Sequence, residues 1–309
     1  MIRGSRCLVT GGAGLIGSTI TDLLLAAGAE VTILDDMSGG KLENIPREAH
    51  FVRGDIRDED LVRGLIFNWD ADFIFHEAAI KILRCAEEPG EALDVLASGT
   101  FNIFKAAAQN GTKVIAASSA SVYGMAEEFP TNEKHHPYGN DTFYGAAKLF
   151  TEGMARSLAV THDLDYVMLR YFSVYGPRVN TSGIYTEVLP RWMDKITAGE
   201  PPRIDGDGSN TRDFVYVGDV ARANLMAAEA DVRGVFNVGS GVETGLTTLA
   251  LALLKAMGSY LEPVYGPERK TDPCPRRLAD ISAAKEHLGW EPATDLETGL
   301  EELVAWRYR

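Results

Sequence analysis

The sequence predicts an α/β fold: a doubly wound parallel sheet with a smaller C-terminal α+β lobe. Three observations carry that expectation. Short apolar runs alternate with helix-periodic stretches up to about residue 172, the rhythm of right-handed crossovers and a sheet covered on both faces. The first apolar run ends in a glycine turn that opens directly onto a helical pattern. Beyond Gly176-Pro177-Arg178 the alternation breaks, and prolines and glycines gather over 198–220.

Taken in order, "RCLVTGG" (6–12) reads as a buried strand and its turn, and "LIGSTITDLLLAAG" (15–28) as a helix stopped by Gly28. "EVTILDD" (30–36) is the next strand. "HFVRGDI" (50–56), "ADFIFHEAA" (71–79), "TKVIAASS" (112–119) and "LDYVMLRYF" (164–172) supply four more, with helical stretches between them. The smaller lobe is expected from about 173. The chain returns to the first lobe around 213–238, where "VFNVGSG" (235–241) is again strand-like.

Composition narrows the function classes. With 44 acidic and 30 basic residues the formal net charge is −14, which argues against nucleic acid or an anionic membrane as partner but leaves room for a local phosphate pocket. No run of 18 apolar residues occurs, and the start runs straight into a strand, so neither a membrane span nor a signal peptide is expected. Cys7, Cys85 and Cys274 are odd in number and lack C-x-x-C spacing, which points to a reducing, cytoplasmic compartment and to neither a disulfide framework nor a metal site. His135 and His136 lack helical metal spacing and read as surface loop.

"TGGAGLIG" (10–17) spaces Gly11, Gly14 and Gly17 as G-x-x-G-x-x-G between strand and helix. A sharp turn, a backbone that must approach a pyrophosphate, and close helix-to-strand packing all demand glycine there. The helix N-terminus then offers unpaired N–H groups to a diphosphate. Asp35 ends the second strand, placed to accept hydrogen bonds from adenosine ribose hydroxyls and to repel a 2′-phosphate, so NAD is favoured over NADP. In "GDIRD" (54–58), Asp55 suits the adenine amino edge and Ile56 its face. Tyr144 and Lys148 in "FYGAAK" (143–148) lie one turn apart on a helix face. A cation nearby favours the phenolate form of a tyrosine whose ordinary pKa is about 10. That spacing recurs by chance and decides nothing alone.

Together these stretches resemble the extended short-chain dehydrogenase/reductase family, in particular its nucleotide-sugar 4-epimerases and dehydratases. The likeness spans nearly the whole chain: "TGGAGLIG", "GDIRD", "HEAA" (76–79), "SSASVYG" (118–124), "FYGAAK", "RYFSVYGPR" (170–178), "RDFVYVGDVARA" (212–223), "FNVGSG" (236–241) and "ADISAAKEHLGWEP" (279–292). The resemblance implies a Rossmann-type NAD domain over 1–172 and a nucleotide-sugar lobe over 173–309. NAD contacts are implied for Gly11, Gly14, Leu15, Ile16, Gly17, Asp35, Asp36, Ser38, Asp55, Ile56, Ala78, Ala79, Lys81, Ser118, Tyr144, Lys148, Tyr171 and Phe172. Tyr144, Lys148 and Ser119 are implied as the catalytic trio, and Ser119, Tyr144, Ser173, Arg212 and Arg276 as substrate contacts. A homodimer through helices near 90–108 and 143–160 is implied as well.

Four positions depart from the family pattern. Ser173 and Leu96 stand where Asn is usual, which bears on substrate identity. Ala120 and Ser121 replace the acidic pair that dehydratases place after the active-site serine, so proton transfer for water loss lacks obvious agents. The expected activity is therefore epimerisation of a nucleotide sugar at C4, most simply of a UDP-hexose, with a dehydratase as runner-up and a non-catalytic NAD-binding sensor as the alternative of another class.

Overall fold

The computed structural model describes residues 2–181, 188–267 and 274–309. Its strands are β1 (Arg6–Thr10), β2 (Glu30–Asp35), β3 (His50–Arg53), β4 (Phe73–His76), β5 (Lys113–Ser119), β6 (Tyr166–Tyr171), β7 (Ser173–Tyr175), β8 (Arg203–Asp205), β9 (Thr211–Tyr216), β10 (Gly234–Val238), β11 (Glu243–Gly245) and β12 (Val264–Gly266). Its helices are α1 (Leu15–Ala26), α2 (Glu59–Phe67), α3 (Ile82–Glu87), α4 (Pro89–Leu93), α5 (Thr100–Asn110), α6 (Phe143–His162), α7 (Val188–Thr197), α8 (Val217–Glu229), α9 (Leu246–Ala256), α10 (Ser282–Leu288) and α11 (Leu296–Arg307).

Seven strands form one sheet in the order β3-β2-β1-β4-β5-β6-β10, and every pairing is parallel. The expected doubly wound α/β architecture is present. The order reverses between β1 and β4, where a crevice opens at the carboxyl edge of the strands.

Strand alternation sorts the core into two layers. Cys7, Val9, Ile33, Phe75, Ile115 and Val167 face one side and pack with Ile20 and Leu24 of α1 and Val220 and Ala223 of α8. Leu8, Leu34, Ile74, Val114 and Met168 face the other, against Val62 of α2, Phe104 of α5 and Ala155 of α6. Both faces are buried, which is why these strands are apolar throughout rather than alternating.

Two predicted strands end early, at Arg53 and His76. At that edge Gly54-Asp55 and Glu77-Ala78 leave the ladder to form the crevice rim. The smaller lobe holds the three-stranded β11-β9-β7 sheet and the β12-β8 pair. Within it, α7, α9 and α11 share a core around Trp192, Leu253 and Leu300. The chain returns through α8 and β10, the latter pairing with β6.

Candidate active site

The crevice is built on the glycine turn. Gly11 has φ +68°, and a Cβ there would lie 2.7 Å from the Ala78 nitrogen. A Cβ on Gly17 would meet the Gly11 carbonyl oxygen at 2.3 Å. Only glycine lets the turn, α1 and the β4 rim close together. The α1 N-terminus carries no side-chain cap and no acid in its first turn, so its amide groups and dipole suit an anion.

Asp35 Oδ2 accepts from the Ala13 amide at 3.0 Å and Oδ1 from the Met37 amide at 2.8 Å. Burial raises its carboxyl above the ordinary range, and those two N–H groups partly offset this. Gly11, Gly14, Leu15, Asp35, Asp36, Ser38, Asp55, Ile56, Ala78, Ala79 and Lys81 all line this one crevice. Other expected cofactor residues lie behind it. Ile16 packs into the α1 core layer, and Ser118 is buried with its hydroxyl on Glu152. Phe172 is buried against Tyr123, and Tyr171 faces Glu77. Asp55 is held by Arg57, whose hydrogen bonds lower its carboxyl pKa.

The second half of the site hangs on α6. Thr142 caps the helix by accepting from the Gly145 amide at 3.1 Å. A Cβ on Gly145 would sit 2.4 Å from the Ser121 carbonyl oxygen, so the first turn presses against the segment after β5. This contact sets Tyr144 near Ser119, whose side chain lowers the pKa of the phenol. Ser119 Oγ also accepts from the Ser121 amide at 3.1 Å. One turn on, Lys148 is buried, donates to the Ala117 carbonyl at 2.7 Å and lies 5.9 Å from the Tyr144 ring centroid.

The electrostatics differ from the simple phenolate expectation. Burial pushes the Tyr144 phenol up to about 12; Ser119 and the Arg277 charge pull it back only in part. Burial also brings Lys148 down to about 8, although Glu77, Cys85 and Glu152 nearby, once ionised, act to raise it. Desolvation outweighs pairing in both, so the protein's own groups leave the phenol neutral near pH 7.

Beneath the trio, Arg170 of β6 forks onto Glu152 of α6 at 2.8 and 2.6 Å and donates to the Tyr123 hydroxyl at 2.9 Å. This buried cluster ties α6 to the sheet. His76 is a second buried anchor. It bridges Thr10 at 2.7 Å and Thr100 at 3.0 Å, and burial pushes it down to about 3, so it is neutral.

The sequence profile of the NAD dependent epimerase/dehydratase family matches residues 7–239. The chain is 38% identical over 308 residues to the UDP-glucose 4-epimerase of Mycolicibacterium smegmatis, with 97% of each covered. It is similar to the crystal structure of the Thermotoga maritima UDP-glucose 4-epimerase with UDP-glucose, at TM-score 0.93 and 37% identity over 98% of each chain. It is also similar to the Thermus thermophilus UDP-glucose 4-epimerase in complex with NAD, at TM-score 0.89 and 32% identity, covering 97% and 98%. This chain belongs to the NAD-dependent epimerase/dehydratase family.

NAD is its cofactor, and the glycine cradle, the open α1 terminus and Asp35 fit a dinucleotide. The expected substrate residues are more scattered in this epimerase-family chain. Arg276 forks onto Glu243 at 2.6 and 2.7 Å with its guanidinium 4.4 Å from the centre of the Phe129 ring. Arg212 donates to the Thr211 carbonyl at 2.8 Å. Ser173 opens β7. Leu96, in the place of the usual Asn, is buried with Cys85 and Ala147.

Two residues beside the trio escaped the sequence reading. Arg277, next to the chosen Arg276, approaches Ser121 Oγ at 3.3 Å. Glu77 lines the crevice directly after β4. A charged residue immediately after a buried strand was the available signal for Glu77.

Proposed function

We propose that this chain is an NAD-dependent nucleotide-sugar 4-epimerase, most simply one that acts on a UDP-hexose. The observation that carries this reading is the Tyr144 phenol under the influence of Ser119 and of Glu77 on the crevice wall, one helical turn from a buried lysine. Tyr144 takes the proton of the sugar 4-hydroxyl, and Ser119 holds that hydroxyl in line. Lys148 supplies positive charge behind the phenol and a donor for the nicotinamide ribose. NAD, when bound, would supply the hydride acceptor and donor for C4, with no net redox change. Once the 4-keto sugar has turned its other face, Tyr144 gives the proton back. The product is an isomer of the substrate.

In this reading residues 1–172 carry NAD and 173–309 carry the nucleotide of the substrate, with Ser173, Arg212 and Arg276 as contacts. Arg276 must exchange Glu243 for a diphosphate to serve. The dehydratase reading lacks an acid at the two positions after Ser119. Ala120 and Ser121 are buried without a carboxylate, while Glu127 and Glu128 are exposed, Glu127 beside His136 at 3.5 Å.

The purified enzyme, offered UDP-, GDP- and dTDP-sugars separately, is expected to yield a product of unchanged mass with an inverted C4 signal by NMR. A product lighter by one water overturns epimerisation in favour of the dehydratase. NAD binding with every sugar unchanged supports the sensor.

We also place the enzyme in the cytoplasm as a homodimer. Its three cysteines are free and buried, and among the described residues no helix is long and apolar enough to cross a membrane. Leu93 (53% exposed), Phe101 (41%) and Phe150 (57%) lie outward on α4, α5 and α6, an apolar face a second copy covers. Phe150→Glu is expected to convert the dimer to monomer at micromolar concentration in light scattering. An unchanged mass overturns this face.

A further inference from the structure

Three elements converge on Glu77. From β6, the Tyr171 hydroxyl donates to its Oε1 at 2.8 Å, and that hydroxyl is itself fixed by Asn224 Nδ2 of α8 at 2.8 Å. From α6, Lys148 and Tyr144 both interact with its charge. Beside it at the end of β4, His76 is neutral, and Cys85 of α3 is pushed up to about 11 by burial and is also uncharged near neutrality. Two more charged groups act on its neighbours, Glu152 of α6 on Lys148 and Arg277 on Tyr144. Lys148 is the cation whose charge acts on Glu77 itself. Burial still raises the carboxyl to about 8, despite the Tyr171 hydrogen bond and the Lys148 charge. The hydrogen bond to Tyr171 pins the carboxyl at the crevice wall.

The crevice wall thus holds an acid, neutral at neutral pH, next to the two residues that meet the reacting end of the cofactor. A positively charged ring seated there meets Lys148 and is repelled unless an anion forms. The uncharged reduced ring makes no such demand.

We propose that Glu77 is a cofactor-binding residue that makes the crevice favour oxidised over reduced nicotinamide, ionising as the cationic ring is seated and releasing its proton to solvent. The balance is simple: protonated Glu77 and NAD⁺ give the Glu77 carboxylate with NAD⁺ bound, plus one proton in bulk water. No bond to carbon changes. An enzyme that must rest with its cofactor oxidised gains a built-in bias from such an acid. The inference rests on the reading of this crevice as the NAD site with its reacting end at Tyr144.

The test is calorimetric titration of the full chain, freed of nucleotide, with NAD⁺ and with NADH in buffers of differing ionisation enthalpy. Wild type is expected to release close to one proton on binding NAD⁺, with Kd tightening by up to about tenfold per pH unit as pH rises toward about 8. NADH binding is expected to release none. Glu77→Gln should still bind NAD⁺ but lose both the release and the pH slope, narrowing the NAD⁺/NADH preference by about tenfold or more. Lys148→Met should keep the release, and this arm decides the matter if the Gln variant does not fold. Release that persists in Glu77→Gln or vanishes in Lys148→Met assigns the proton to the ammonium and overturns the proposal. NAD⁺ binding without release overturns it alone, whereas failure of wild type to bind NAD⁺ at any pH overturns the cofactor site and this proposal with it.

Discussion

Tyr144→Phe lowers kcat by about 10²–10⁴-fold while leaving bound NAD and the melting temperature close to wild type. The variant keeps the ring that packs against Ile80, Cys85 and Leu96 and deletes only the oxygen. With that atom go the group Ser119 acts on and the acceptor of the sugar proton. The loss falls on kcat because the proton moves only in the reacting complex, so KM changes little.

The pH profile distinguishes this from a packing defect. Tyr144 acts as the phenolate, and burial pushes its pKa up, so wild-type kcat rises with pH. Lys148 acts as the cation, and burial brings it down to about 8, so the rise in kcat levels off as pH passes that value. The rising limb is expected to disappear in Tyr144→Phe. A variant within tenfold of wild type, its rising limb intact, removes Tyr144 from the chemistry.

Glu152→Ala is expected to destabilise the protein by about 3–5 kcal/mol in chemical denaturation, the cost of stranding one partner of a buried ion pair. The pair is well shielded, with side chains 9% (Arg170) and 5% (Glu152) exposed. Without Glu152 the guanidinium keeps only the Tyr123 hydroxyl and the Glu133 carbonyl. Ser118 loses its acceptor at the same time. Activity should fall too, because Glu152 lies one turn beyond Lys148 and fastens that face of α6 to β6. Combining Glu152→Leu with Arg170→Met is expected to recover much of the stability, since the remaining charge is then removed as well. A loss under about 1 kcal/mol for Glu152→Ala means the pair does not anchor the helix.

Much of this site was legible because its requirements are local. A turn that passes close under a neighbouring backbone excludes Cβ atoms, and so Gly11 and Gly17 stand out in the sequence. A helix repeats every 3.6 residues, so Tyr144 and Lys148 share a face wherever that helix packs. Asp35 was readable because a strand ends where its apolar run ends.

The two adjacent arginines were not readable. Ala279 bridges to Thr131, which with the Thr131-to-Leu278 and Asp280-to-Thr131 hydrogen bonds holds 278–280 extended. Successive side chains in extended backbone point to opposite sides. Arg276 accordingly meets Glu243 at the surface while Arg277 turns toward Ser121. Which of the two faces inward depends on a pairing made almost 150 residues away in sequence.

The doubly wound sheet, the dinucleotide turn and the tyrosine–lysine face are readable in the residues alone, because each follows from periodicity or from space around one backbone segment. The charges those residues carry, and the acids and bases around them, depend on how distant segments pack. Glu77, Tyr144 and Lys148 come from the rim after β4 and from α6, and their proton affinities are set by how fully neighbouring elements exclude water, which no local pattern records.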